Sequence, residues 1–206
     1  MTDKRRRTML AFTVVVAAVS FGVVPCLAQD AQQYYRQGLQ AYQDGKWEVA
    51  VQHWKAAASL DPKSAKTHKA LGLAYRWMGT GDKNKQRGAE NCQLAIEEFK
   101  KAVSLDPQYA KAYSNMGGGY ECLGDNDKAI QSYEKAISVD PKLKNTYYYL
   151  ALLYKQRNEI AKAKQLVKQG DALPEEPQED TDEGWYIVFL EYLAWKSLGP
   201  TLEELR

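Results

Sequence analysis

Histidine and cysteine are the side chains with which this chain could do acid–base or metal chemistry, and it contains few of them. Its 206 residues include two histidines, His53 and His68, and three cysteines, Cys26, Cys92 and Cys122. None of these stands at metal-ligand spacing, and the sequence has neither a glycine-rich phosphate loop nor a nucleophile elbow. Acidic residues are plentiful but form no recognisable general acid–base pair. We therefore predict that the protein is not an enzyme and uses no metal or other cofactor.

The charge balance gives no bulk electrostatic reason to bind nucleic acid. The formal net charge of the whole chain is +2, but the first 28 residues hold four basic residues against Asp3. Their share of +3 leaves about −1 for residues 29–206. We therefore expect no nucleic-acid partner and, because catalytic motifs are lacking, no small-molecule substrate.

A short phrase recurs along the chain and indicates how it is organised. Ser-Leu-Asp-Pro stands at residues 59–62 and 104–107, and Ser-Val-Asp-Pro at 138–141, with the last two prolines 34 residues apart. Before each proline come, in the same order, two glycines, an alanine with an aliphatic residue, an aromatic residue and another alanine. These residues are Gly38, Gly45, Ala50, Val51, Trp54 and Ala57; Gly72, Gly79, Ala95, Ile96, Phe99 and Ala102; and Gly117, Gly124, Ala129, Ile130, Tyr133 and Ala136. A fourth, degenerate copy keeps Tyr147, Leu150, Ala151, Tyr154, Asn158, Ala163 and Pro174.

Small residues at such positions let two antiparallel helices approach closely, and copies must stack because one pair cannot bury its apolar face alone. Proline then ends each unit. On these residues, over roughly 31–174, the sequence resembles the tetratricopeptide repeat family. The resemblance implies an all-α, right-handed superhelix with a concave groove that binds peptides. Here the superhelix would consist of three good repeats and one degenerate repeat, and a C-terminal helix would follow it. The expected repeats span about 31–64, 65–109, 110–143 and 144–174.

The second repeat is longer than the others, because Pro62 and Pro107 are 45 rather than 34 residues apart. The polar, basic and glycine-bounded stretch 80–88 predicts that the 11 extra residues form an exposed loop between the two helices. Such a loop is either a projection that contacts a partner or a neutral insertion, since long loops cost little stability.

In the family that the chain resembles, the first helix of each repeat lines the concave side. Helical spacing then gives a candidate peptide-binding groove made of Tyr35, Arg36, Leu39, Tyr42, Lys66, Lys69, Leu73, Arg76, Trp77, Lys111, Asn115, Tyr148, Tyr149 and Leu152. Its cations, with Lys155, face only Glu121. This asymmetry favours an extended, acidic peptide with apolar side chains. The alternative is that the lysines are ordinary solubilising residues.

Cys92 and Cys122 are the cysteines that would remain after removal of a signal peptide. Under the repeat alignment they lie on adjacent antiparallel helices at the same end of the stack, so a disulfide between them is geometrically allowed. The alternative is two buried free thiols, because the insertion could displace Cys92.

Residues 1–28 have the features of a signal peptide. Four basic residues at positions 4–7 precede an apolar run from 9 to 24, and Cys26-Leu27-Ala28 offers small residues where signal peptidase cuts. We expect cleavage after Ala28 and export to the periplasm or beyond. The alternative is an uncleaved segment that anchors the protein in the inner membrane.

The chain ends with an acidic linker at 175–183, which carries six carboxylates, and an apolar helix at 184–206. A helix as apolar as residues 185–195 must be covered. It could cap the last repeat, occupy the groove of its own chain in competition with ligand, or dock on a second chain as a homo-oligomer contact.

Two functions follow from these observations. The first is a non-catalytic scaffold that binds a protein or peptide segment in the groove and helps to assemble an envelope complex. The alternative is a structural, self-associating protein whose C-terminal helix packs on a neighbouring chain.

Overall fold

The computed structural model describes residues 28–174 and residues 204 and 205. The predicted signal peptide, acidic linker and C-terminal helix therefore lie outside the described residues, apart from Ala28, Glu204 and Leu205. Within the described ranges, no helix combines the length and the apolar character needed to cross a membrane.

The described part of the chain consists of helices joined by short turns, and the all-α prediction is confirmed. The helices are α1 (28–43), α2 (Trp47–Leu60), α3 (Ala65–Gly81), α4 (Lys85–Leu105), α5 (Ala110–Cys122), α6 (Asn126–Val139), α7 (Lys144–Gln156) and α8 (Ile160–Asp171). From α2 onward each helix packs against the next, and α3 also contacts α5. Consecutive helices therefore form pairs, and the pairs stack.

The repeated Asp-Pro phrase ends α2, α4 and α6 in the same way. Asp61, Asp106 and Asp140 are the C-cap residues, and each backbone N–H donates to the alanine carbonyl four residues earlier at 2.9 Å. Each aspartate Oδ1 also accepts a hydrogen bond from the backbone N–H two residues later, at 3.2, 3.0 and 2.9 Å. The intervening proline cannot donate a hydrogen bond and disfavours the helical conformation at the aspartate, so each helix stops there.

Each of the first three pairs is closed by a buried aromatic ring that lies directly on a glycine. A Cβ added to that glycine would lie within 2.6 Å of the ring, so no other residue fits without a shift. The contacts join Gly38 to Trp54, Gly72 to Phe99 and Gly117 to Tyr133. In the fourth pair the roles are exchanged, because Tyr148 of α7 lies against Gly170 of α8. The degenerate repeat thus keeps the contact between an aromatic ring and a glycine, but its ring lies on the first helix and its glycine on the second.

The extra residues of the second repeat are helical, so the prediction of an exposed loop at 80–88 is wrong. Helix α3 continues to Gly81 and α4 begins at Lys85, which leaves only residues 82–84 between them. Asn84 caps α4, because its side-chain oxygen accepts hydrogen bonds from the N–H groups of Gln86 and Arg87 at 3.0 and 3.2 Å. The insertion therefore lengthens both helices.

Two glycines let the lengthened helices stay together. A Cβ on Gly79 would lie 2.8 Å from the carbonyl oxygen of Gly88, and a Cβ on Gly88 would lie equally close to the carbonyl oxygen of Gly79. The backbones of α3 and α4 are in contact at this crossing, so the polar residues around it belong to helices. They are exposed on the helix surfaces, and their composition therefore resembles that of a loop.

Candidate functional site

The first helices of the pairs (α1, α3, α5 and α7) carry the fourteen residues predicted to line a groove, and the structure divides these residues by exposure. Arg36 is exposed; partly exposed are Lys66, Arg76, Trp77, Lys111, Asn115, Tyr149 and Leu152; buried are Tyr35, Leu39, Tyr42, Lys69, Leu73 and Tyr148. Only the first two groups present surface to a ligand.

Five of the buried residues belong to the core, which corrects the predicted lining. Tyr35, Leu39, Tyr42 and Leu73 pack in one apolar cluster with Trp54. Tyr148 packs in a second cluster, and its hydroxyl donates to Asp171 at 2.9 Å. The first helix of each pair is covered by the second helix of that pair and also by the neighbouring pair. More of its surface is therefore buried than in a helix with one buried and one exposed face.

Lys69 is also buried, at 4 % exposure. Its Nζ lies 5.5 Å from the centroid of the Tyr109 ring, a cation–π contact between neighbouring repeats. The charged end of Lys69 therefore contributes to the packing of neighbouring repeats. The prediction that Lys69 lies on the ligand-facing surface is corrected.

The groove begins at a small cavity between α1 and the start of α3. The cavity has a volume of about 220 Å³, and its lining includes Tyr35, Arg36, Lys66 and Asp61. The Nζ of Lys66 lies 4.8 Å from the centroid of the Tyr35 ring. This end of the groove thus combines two cations and the Asp61 carboxylate with one aromatic face, although Tyr35 itself is mostly buried.

The middle of the groove is formed where Arg76 of α3 meets α5. A Cβ on Gly118 would lie 3.0 Å from Nη1 of Arg76, so the missing side chain makes room for the guanidinium. The guanidinium carbon also lies 5.5 Å from the centroid of the Trp77 ring. Among the described residues, the buried Nε of Arg76 has no hydrogen-bond partner.

Glu121 lies on α5 one turn beyond Gly118 and is held from the second helix of the same pair. The Tyr133 hydroxyl donates a hydrogen bond to Glu121 Oε2 at 2.9 Å. The Tyr133 ring in turn lies 5.7 Å, centroid to centroid, from the Tyr149 ring of α7. Arg76, Glu121, Tyr133 and Tyr149 therefore connect three consecutive repeats.

Burial dominates the titration of this cluster. It raises the pKa of Glu121, and the Tyr133 hydrogen bond and the positive charge of Arg76 oppose that rise only in part. Burial also raises the pKa of Tyr133 well above its ordinary value, with a further contribution from the Glu121 charge. The cluster thus holds a permanent cation beside a carboxyl group that is costly to ionise.

The far end of the groove is contacted by the end of the chain. Glu204 accepts a hydrogen bond from Lys155 Nζ at 2.6 Å. Leu205 is buried at 2 % exposure in the apolar cluster formed by α6, α7 and α8. Lys155 is therefore paired within the chain, and its predicted contribution to the positive charge of the groove is offset.

Both histidines contact neighbouring groups of the chain. His68 Nδ1 lies 2.7 Å from Glu98 Oε2, and its Nε2 lies 3.1 Å from the carbonyl oxygen of Pro62. His53 lies 6.3 Å from Tyr34 between ring centroids. Across residues 28–174, no group of three or more potential ligand side chains is placed to hold a metal ion.

Cys92 of α4 and Cys122 of α5 are joined as a disulfide, with their Cα atoms 6.1 Å apart. Cys92 is fully buried and lies against Gly79. Because the insertion lengthens helices instead of forming a loop, it holds Cys92 within reach of α5.

With the geometry in place, comparison with known proteins identifies the repeat. A family profile described as "TPR repeat" matches residues 33–79 and 122–157. The chain is a tetratricopeptide-repeat (TPR) protein. No curated protein sequence matches it significantly.

Solved TPR structures share the superhelical fold. The crystal structure of MamA has a TM-score of 0.60 and 26 % sequence identity, with 82 % of this chain and 93 % of that chain covered. The first TPR of Spaghetti (RPAP3), bound to the HSP90 peptide SRMEEVD, has a TM-score of 0.56 and 20 % identity, covering 64 % and 98 %. The second TPR domain of human RPAP3, in complex with the HSP70 peptide SGPTIEEVD, has a TM-score of 0.53 and 20 % identity, covering 63 % and 97 %. The predicted all-α TPR superhelix is confirmed.

Proposed function

We propose that this TPR protein is a non-catalytic scaffold that binds an extended, acidic segment of a protein partner in its groove. The observation that carries the proposal is the charge of the accessible groove face. Arg36, Lys66, Arg76 and Lys111 all have exposed surface there. Asp61 and Glu121 oppose them, but burial disfavours the charged form of Glu121. An acidic segment would gain charge-assisted hydrogen bonds to these cations.

Aromatic and apolar surface on the same face supports an extended peptide as the ligand. Trp77 and Tyr149 are partly exposed, and the Trp77 ring stacks on Trp47 at 6.1 Å between centroids. Rigid aromatic rings supply contact area at low entropic cost, and they dominate the energetics of many interfaces. The two RPAP3 structures hold peptides with paired glutamates and a terminal aspartate, and such a ligand suits the charge of this groove.

Selection from a random heptapeptide library on the immobilised protein tests the proposal. We expect the selected peptides to be enriched in Asp and Glu, to bind more weakly at high salt, and to lose at least tenfold in affinity to the double variant Lys66→Glu/Lys111→Glu. The matched control Lys85→Glu/Lys100→Glu makes the same charge change at exposed positions of α4 and should bind like the parent. Peptides without acidic enrichment, or equal binding by both variants, would contradict the proposal.

We further propose that the protein acts outside the cytoplasm, in the assembly of an envelope complex. The basic and apolar start of the chain supports export, and a disulfide such as Cys92–Cys122 persists in an oxidising compartment. Mass spectrometry of the protein from its native host should find Gln29 at the amino terminus. An intact Met1 in a membrane fraction would instead support the anchored alternative.

Self-association through the C-terminal segment is the second candidate function. The burial of Leu205 against α7 and α8 of its own chain favours a cap within one molecule. Light scattering distinguishes self-association from a cap within one molecule. A molar mass in solution that halves on deletion of residues 184–206 would establish self-association, and a monomer before and after deletion would exclude it.

A further inference from the structure

We propose that Arg76, Gly118, Glu121 and Tyr133 form a carboxylate-binding position in the middle of the groove, and that Glu121 takes up a proton when a ligand carboxylate binds there. This inference rests on the proposed function and deepens it, because it assigns one residue-level contact and a pH dependence to the same groove. An acidic peptide should then bind more tightly as the pH falls.

Arg76 is the group that would hold the ligand. Its guanidinium fits over Gly118, 3.0 Å from the place of an absent Cβ, and 5.5 Å from the Trp77 ring. Its buried Nε has no hydrogen-bond partner among residues 28–174, 204 and 205. A buried donor without a partner is unfavourable, so rotation of the guanidinium toward an entering carboxylate is favourable. A carboxylate can accept two parallel N–H bonds from arginine.

The protonation state of Glu121 determines how favourably a ligand carboxylate binds to Arg76. Glu121 is the groove carboxyl whose charge is attracted to Arg76, and a ligand carboxylate on Arg76 would lie beside it. Two carboxylates sharing one cation repel, and the proton that relieves this repulsion goes most easily to the buried group. Glu121 would keep its hydrogen bond from the Tyr133 hydroxyl, because a carboxyl oxygen still accepts one after protonation.

The other groups around Glu121 leave this arrangement intact. From α3 it faces Arg76, and from α6 it faces Tyr133, which stays protonated because burial raises its pKa. Lys128 of α6 is held by Asp125 through a hydrogen bond at 2.5 Å. Helix α4 presents the apolar Ile96 and Phe99 side chains to the neighbouring Gly119. Helix α7 contributes Tyr149, which acts on Tyr133.

By thermodynamic linkage, this arrangement predicts that the affinity for ligand depends measurably on pH. If ligand binding raises the pKa of Glu121, then protonation of Glu121 must raise the affinity for ligand by the same factor. The affinity should fall by up to about tenfold for each unit of pH above the pKa of Glu121 in the ligand-free protein. The peptide's own carboxylates stay ionised above about pH 5.5, so a slope at higher pH belongs to the protein.

The test uses a rhodamine-labelled heptapeptide of sequence SRMEEVD and fluorescence anisotropy between pH 5.5 and 8. The parent protein should lose affinity with rising pH, whereas Glu121→Gln, which keeps a neutral side chain and an acceptor for Tyr133, should bind tightly with a flat profile. Tyr133→Phe should move the loss to higher pH, because the hydrogen bond that lowers the pKa of Glu121 is gone. Arg76→Gln should bind weakly at every pH, and Lys100→Glu should keep the parent profile.

Each result is decisive. A flat profile in the parent, or a slope that survives in Glu121→Gln, would overturn the inference and leave groove binding standing. Absence of saturable binding by the parent and by Glu121→Gln at every pH would overturn both the inference and the binding of acidic peptides. Circular dichroism melts of each variant show whether weak binding reflects loss of the fold.

Discussion

At the scale of single residues, the run Gly117-Gly118-Gly119 in α5 serves three different neighbours. A Cβ on Gly117 would meet the buried Tyr133 ring at 2.6 Å, one on Gly118 would meet Arg76, and one on Gly119 would meet Ile96 at 2.9 Å. Glycine weakens a helix by about 1 kcal/mol relative to alanine, so close approach outweighs helix propensity here. The neighbour that each glycine meets decides what its replacement would do.

These glycines give a matched pair of substitutions. Gly117→Ala should lower the free energy of unfolding by roughly 1–3 kcal/mol, because the buried Tyr133 ring cannot move away. Gly118→Ala should be neutral or stabilising by up to about 1 kcal/mol, because the end of Arg76 is flexible and alanine favours the helix. Urea unfolding of both variants measures the difference. Equal destabilisation would show that Arg76 is as rigidly packed as Tyr133.

Glu121 should make stability depend on pH. Its pKa in the folded protein lies above the ordinary value of 4.5, chiefly because of burial, so the folded state binds its proton more tightly than the unfolded state does. Its favourable contribution is therefore complete below about pH 4.5 and is lost as the pH rises through the folded value. Melting temperatures measured from pH 4.5 upward should fall more in the parent than in Glu121→Gln. Parallel curves would contradict the burial of this carboxyl group.

Residue-level contacts of this kind could be predicted from the sequence only in part. Glu121 stood out as the acid on a basic face, but its partner Tyr133 comes from the second helix, and the room for Arg76 is made by Gly118 in the next repeat. Leu39, Leu73 and Tyr148 were placed on the groove although they are buried, because spacing along one helix does not show how many neighbours cover it.

At the scale of the helices, positions repeated along the chain were predictable and the insertion was not. The Asp-Pro phrase fixes the ends of α2, α4 and α6 through local capping contacts, so it could be interpreted without tertiary information. Residues 80–88 look like a loop because helix tips and loops are equally polar. Their helical state depends on the Gly79–Gly88 crossing, which no local pattern reveals.

The disulfide between α4 and α5 should stabilise this lengthened pair. It closes a loop with a sequence separation of 30 residues, for which loop-closure entropy predicts roughly 3–4 kcal/mol. Adding a reductant should lower the free energy of unfolding by about that amount, and should have no such effect on Cys92→Ala/Cys122→Ala. Under denaturing, non-reducing conditions the parent chain lacking residues 1–28 should show no reactive thiol. Two reactive thiols would exclude the bridge.

At the scale of the whole molecule, the end of the chain returns to the last repeat. Leu205 is buried against the cluster that contains Leu166 and Val167, and Glu204 pairs with Lys155. The open apolar end of a repeat stack needs cover, and these two residues supply part of it.

This contact predicts a stabilising role for the tail. Leu205→Ala should lower the free energy of unfolding by roughly 2 kcal/mol and leave the affinity for acidic peptides unchanged. Glu204→Gln, its control, alters an exposed ion pair and should lower the free energy of unfolding much less than Leu205→Ala does. Melting curves and peptide titrations of the same samples measure both properties. Tighter peptide binding without loss of stability would instead show that the tail competes for the groove.

The central claim, that the first helices form the surface that binds acidic peptides, is tested most directly by NMR. Backbone amide shifts of the labelled protein would be followed during titration with the peptide SRMEEVD. We predict saturable changes concentrated on α3, α5 and α7 around Arg76, Gly118 and Tyr149, with the exposed faces of α2, α4 and α6 unchanged. Changes confined to those second helices, or no saturable change at all, would contradict the account.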